Sequence, residues 1–361
     1  MNKSVPLKLC LSSIVLFILS ACASLESDEL PTQVVVPVYF VTDRNILSES
    51  NQPLIFGEDR GELLQGVTEI ALSTRRNAAS QLAEPSRWQA YNGTRNWDEL
   101  IRTELLGVDE FFQAALAGNS DTAETGSVVL YIHGYNRDYE SAVLDTADLI
   151  YEVNLQFPLI LYSWPSAGSM LSYASDLVNV DWSTYHLNQF LLNLLDQQAV
   201  GKIHILAHSL GNRGLLNSLK YLSDSGQLNN TGKIGQVVLL APDVDTEIFA
   251  RDYLPVLRGL ADGITLYANA KDVPLQTSNR VNRYQRLGNA RETVFTASGM
   301  DTIEISEAVS IFNSHDAHLE IPQVQEDLHR LLNLEQPAGS RDTLFEVRDS
   351  SQEPYWKLHN P

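Results

Sequence analysis

"HILAHSLGNRG", residues 204–214, sets one serine, Ser209, between an apolar run and a small-residue segment suited to opening a helix. The run begins at Lys202 as "KIHILAH", short and rich in branched residues, which predicts a strand. The spacing after it predicts a helix over Leu210 to Leu222. Ala207 and Gly211 stand two residues either side of the serine. Small side chains at those positions let a strand and a helix crowd together while the hydroxyl projects from a strained turn. The hydroxyl becomes reactive only if a base, an orienting acid and oxyanion donors arrive from elsewhere in the chain.

Working outward, further short apolar runs begin at Val34, Val67, Ser127, Pro158, Gln236, Gly263 and Asp301, giving eight predicted strands. Helical patterns lie between the later ones. In "STYHLNQFLLNLLDQQ", Leu187, Phe190, Leu191, Leu194 and Leu195 repeat at helical spacing and mark one buried face. Similar stretches cover about 136–155, 246–260 and 322–334. Alternation of strand and helix predicts an α/β architecture, a mostly parallel eight-stranded sheet with helices on both faces. Residues 75–126 read as an insertion, with a helix over "NWDELIRTELLGVDEFFQAALAG", and residues 336–361 as an extension forming a small hairpin.

The turn around Ser209 matches the nucleophile-elbow pattern, with alanine in place of its first glycine. In "YIHGYN", Gly134 permits a turned backbone, so amides near Tyr135 and at Leu210 are the candidate oxyanion donors. His133 is disfavoured as base because in Ser-His-Asp enzymes of this architecture the base follows the nucleophile in the chain. His315, His318, His329 and His359 all do so. His315 lies in a loop after the last predicted strand, His318 competes with it from the same loop, and His329 falls off the apolar face of a helix and reads as solvated. The acid is Asp272 or Asp243; Asp272 follows the later strand and is favoured, while Asp243 and Asp245 also suit helix N-caps. Asp43, Arg44 and Asp176 read either as rim groups or as internal pairs and caps, and Trp164 as pocket wall or core. No third ligand accompanies His315 and His318, so no metal is implied.

Together "VTDR", "YIHGYN", "SWPSAG", "AHSLGNR", "APDVD" and "HDAHLEIPQVQEDL" resemble a bacterial family of uncharacterised α/β-hydrolase proteins in the esterase/lipase superfamily. The resemblance spans Val34 to Leu334 and implies the α/β-hydrolase fold, with Ser209 as nucleophile, Asp272 as acid and His315 as base. That family follows its histidine with serine and an aromatic; Asp316 and Ala317 depart from this. The expected activity is hydrolysis of a small-molecule carboxylic ester through an acyl-enzyme, with no cofactor. The rival expectation is an inactive envelope lipoprotein that uses the fold for binding.

The chain has 361 residues, 44% hydrophobic and 19% charged, which is ordinary globular composition. Its formal charge of -20 disfavours nucleic acid and anionic headgroups as partners. At the start, Lys3 and Lys8 precede an apolar run from Leu9 to Ala23 that is too short to span a bilayer and follows signal-peptide grammar. Its end, "LSAC", resembles the lipobox of bacterial lipoproteins. That resemblance implies cleavage before Cys22, acylation of Cys22, a tether over 23–33 leading to a hydrolase domain over 34–335, and sorting to the outer membrane of a Gram-negative envelope. Cys10 leaves with the signal, so no disulfide is expected.

Overall fold

In β-rich chains of this kind a strand covered on both faces is apolar along its whole length, and "GSVVLYI" at Gly126–Ile132 is buried from Val128 onward on either side. Val128, Leu130 and Ile132 enter one core and Val129 and Tyr131 the other, the alternation that a pleated strand imposes. The computed structural model describes residues 33–48, 53–73, 98–117, 126–228, 232–310, 315–348 and 353–359. The predicted signal, Cys22 and nearly all of the tether lie outside the described residues, as do 75–97 and 118–125 of the insertion.

The described elements run β1 (Gln33–Ser48), β2 (Ile55–Ser73), β3 (Glu99–Leu105), α1 (Val108–Ala115), β4 (Gly126–Ile132), α2 (Tyr139–Glu152), β5 (Leu159–Ser163), α3 (Tyr173–Leu195) and β6 (Val200–His208). They continue with α4 (Gly211–Asp224), β7 (Ile234–Leu240), α5 (residues 246–260, with a π-turn at Phe249–Tyr253), β8 (Gly263–Ala268), α6 (Val273–Asn282) and β9 (Asp301–Glu304). Last come α7 (Ala317–Glu320), α8 (Pro322–Leu332), β10 (Leu344–Val347) and β11 (Tyr355–Leu358). One sheet takes the order β10-β11-β9-β8-β7-β6-β4-β5-β1-β2-β3. From β11 to β1 every neighbouring pair is parallel. The antiparallel pairs lie at the two ends of the sheet. Helices α1, α3, α4 and α5 cover one face and α2 and α8 the other.

All eight predicted strands form, and the fold is that of the α/β-hydrolases, but the sheet has eleven strands among the described residues rather than eight. Two of the additional strands are the C-terminal pair, β10 and β11, which extend the sheet beyond β9. The third, β3, occupies sequence predicted as helix. The outer edge of β2 offers a ladder to Glu99–Leu105, Thr103 is buried with its hydroxyl 3.0 Å from that of Thr68, and helix begins only after Gly107. Sheet pairing therefore overrides the local preference.

The chain reverses direction across the sheet at β4, which lies between β5 and β6. A reversal of this kind opens a crevice at the carboxyl ends of the strands, and that edge carries the candidate site.

Candidate active site

The nucleophile candidate sits where strand and helix meet most tightly. Ser209 has φ +50°, a left-handed conformation that a non-glycine residue adopts at a cost. A Cβ on Gly211 would lie 2.4 Å from the carbonyl oxygen of His133, so only glycine lets α4 approach the end of β4 this closely. A Cβ on Gly134 would lie 2.6 Å from His208 Nδ1 and 3.0 Å from Ser209 Cβ, which presses the loop after β4 directly onto the turn. The Ser209 amide donates to Leu240 O at 2.9 Å. Buried Asn212 donates from Nδ2 to Ala207 O at 2.9 Å, to Ser209 O at 3.1 Å and to Leu240 O at 3.3 Å. Sequence reasoning missed Asn212; an amide on the packed face of a helix, three residues past the serine, was its signal.

Ser209, His315 and Asp272 come together. His315 Nδ1 donates to Asp272 Oδ2 at 2.8 Å, which leaves Nε2, 2.9 Å from Ser209 Oγ, to accept. Asp272 is wholly buried, and its other oxygen accepts from the Leu275 amide at 2.8 Å as the N-cap of α6. Burial pushes the His315 imidazolium down, but the adjacent Asp272 carboxylate outweighs it and holds the group above its ordinary value. Leu210 is the N-cap residue of α4, next to the serine hydroxyl, and Tyr135 lies in the loop pressed onto it by Gly134, with its ring edge-on to Tyr173 at 5.5 Å.

The other sequence candidates lie elsewhere. Asp243 accepts from Tyr173 at 2.7 Å and Ser278 at 2.6 Å and pairs with Arg286 at 3.2 Å, and Asp245 is the N-cap of α5. His318 Nε2 stands 3.0 Å from the Tyr131 hydroxyl, in the core with its ring against that of His208. His329 is not simply solvated: its Nδ1 meets Val153 O at 2.8 Å and ties α8 to the end of α2. His359 ends the C-terminal strand pair, against Phe345. His133 donates from Nδ1 to Gly134 O at 2.8 Å and stacks on Trp164, and burial followed by the nearby Arg44 keeps it neutral.

None of the rim candidates is at a rim, because each is consumed by internal bonds. Trp164 is core, donating to His133 O at 2.9 Å. Asp43 accepts from Tyr162 at 2.9 Å, Asp176 accepts from Ser166 at 2.7 Å, and Arg44 is wholly buried. Among the described residues no three His, Cys, Asp or Glu side chains are grouped to hold a metal ion.

The sheet order and the site at its carboxyl edge define an α/β hydrolase. The chain belongs to the family described as alpha/beta hydrolase of unknown function (DUF900), whose pattern matches residues 110–332. No curated protein matches the sequence. Similar solved structures include a fungal esterase from Rhizomucor miehei, 12% identical over 84% of each chain with a TM-score of 0.36. A carboxylesterase from Bacillus subtilis is 10% identical over 60% of this chain and 86% of its own, with a TM-score of 0.33. A hydrolase from Oleispira antarctica is 11% identical over 60% of this chain and 95% of its own, also with a TM-score of 0.33.

Proposed function

We propose that this protein is a serine hydrolase acting on carboxylic esters, held at the bacterial outer membrane by lipid on Cys22. The observation that carries the activity is the unbroken hydrogen-bonded line from Ser209 through His315 to buried Asp272, on a turn that strains the serine into a left-handed backbone. His315 Nε2 takes the hydroxyl proton as Ser209 Oγ attacks the ester carbonyl, and Asp272 stabilises the imidazolium that forms. The amides of Leu210 and Tyr135 receive the negative charge on the carbonyl oxygen. As the tetrahedral centre collapses, the carbon–oxygen bond to the alcohol breaks and His315 returns the proton to that alcohol. Water then attacks the acyl-serine by the same route and releases the acid. The anchor rests on the lipobox resemblance at "LSAC".

A fluorophosphonate probe tests the chemistry, because it reacts only with an activated serine. Wild type should be labelled and Ser209→Ala should not; labelling of both, or of neither, overturns the nucleophile assignment. Intact mass and fractionation of wild type and Cys22→Ser test the anchor. Wild type should carry acyl mass and sediment with membranes, and an unacylated wild-type chain ends that part of the reading.

A further inference from the structure

The base stands in a loop, so something must hold it. His315 lies two residues before the short helix α7, and the N-cap residue between them, position 316, where this chain departs from the family it resembles, carries a buried carboxylate. Asp316 Oδ1 lies 2.9 Å from Arg137 Nη2, with the two side chains only 6% and 13% exposed. The Arg137 Nε donates in turn to Asp145 Oδ2 on α2 at 2.6 Å. The backbone of Arg137 is equally fixed: its carbonyl accepts from Arg44 Nη2 at 2.7 Å and its amide donates to Ser166 Oγ at 3.2 Å. Arg44 itself reaches Ser163 Oγ, Ser166 O and Gly57 O at 3.0, 2.9 and 3.2 Å. From the opposite side His208, the residue before the nucleophile, donates Nε2–H to the carbonyl of His315 at 3.1 Å.

We propose that Asp316 is a positioning residue for His315, its ion pair with Arg137 latching the loop of the base onto the loop after β4 that carries Tyr135. The proposal rests on the serine hydrolase reading. Arg137 is held directly by Asp145 of α2 and, through Arg44 of β1, by segments from β2 and β5, so the latch refers the imidazole to the rigid sheet rather than to its own loop. An isolated buried carboxylate would be strongly disfavoured, and Arg137 is what makes it tolerable at this position. Burial opposes the charge, but Arg137, then His208, His315 and His318, hold Asp316 well below the ordinary carboxylate range. Displacement of a reacting group by about 1 Å lowers the rate by about a hundredfold.

The test compares wild type with Asp316→Asn, with Asp327→Asn as a control that breaks a different buried ion pair, to Arg341, neither member of which bonds to Ser209, His315 or Asp272. For the folded fraction of Asp316→Asn, the fluorophosphonate labelling rate and kcat should fall by about ten- to a hundredfold with KM little changed. The groups facing His315 are Asp272, Asp316, Arg137, His208 and His318; removing the negative charge of Asp316 should also move the acid limb of kcat/KM to lower pH. Asp327→Asn should lower the unfolding temperature but leave labelling per folded molecule and the acid limb unchanged. If Asp316→Asn does not fold, Arg137→Lys, which keeps the charge and loses the planar fork, should show a smaller loss of the same kind. Unchanged rate and acid limb in the folded variant overturn the latch while leaving the hydrolase reading intact. If wild type is not labelled at all, that reading fails and the downfield His315 Nδ1 proton resonance decides the latch: weakened in Asp316→Asn it stands, unaltered it falls.

Discussion

Asp272 and Asp243 lie on neighbouring loops, yet only Asp272 touches the imidazole. Asp272→Asn should therefore lower kcat by about three to four orders of magnitude with the fold retained, since asparagine also caps helices well. Asp243→Asn should leave turnover nearly intact and lower stability by about 1–3 kcal/mol through the weakened contacts to Ser278 and Arg286. Single-turnover ester hydrolysis and thermal unfolding of both variants separate the two, and the reverse pattern would move the acid to the end of β7. His318→Ala should likewise retain activity. The raised His315 group makes a second prediction, with opposite signs for activity and stability. The charged form is favoured by folding, so its contribution to stability is fully present below about pH 6.5 and is lost as pH rises through the folded value. Catalysis needs the neutral form, so kcat/KM should rise across that same window, with its midpoint above 6.5. A rate profile already flat at pH 6.5 would contradict this.

Among the elements, β4 and α4 meet at a separation set by Gly211. Gly211→Ala should push them apart, cost about 1–3 kcal/mol and remove probe labelling even in molecules that stay folded; a labelled variant of native stability would show that the approach is not needed. The central runs, β4 to β8, were legible because both of their faces are buried, so apolar content alone marked them. The turn at Ser209 was legible because its constraints are local. Residues 99–105 were not, because what decides them is the free edge of β2, about thirty positions away in the sequence. The roles of His208 and the Arg137–Asp316 pair escaped for a related reason: their partners come from separate segments that meet only at the carboxyl edge of the sheet. Asp43 and Arg44 lie within β1 and Asp176 in the first turn of α3, places where ligand contact and internal bonding draw on the same residue types.

For the whole molecule, the formal charge of -20 sets a long-range field that repels anions before contact. For matched aryl esters, kcat/KM should be larger for the neutral one at low salt, and the gap should narrow as ionic strength rises. Faster turnover of the anionic ester at low salt would mean that local groups such as Arg286 dominate. The sheet order also places partners far apart along the chain, with 106 positions between Ser209 and His315. During synthesis the nucleophile therefore leaves the ribosome long before its base, and contacts of such separation close late in folding. A chain that has not yet reached His315 carries a serine no more reactive than any other, so on the serine hydrolase reading activity appears only once the segment beyond position 315 has joined the sheet edge.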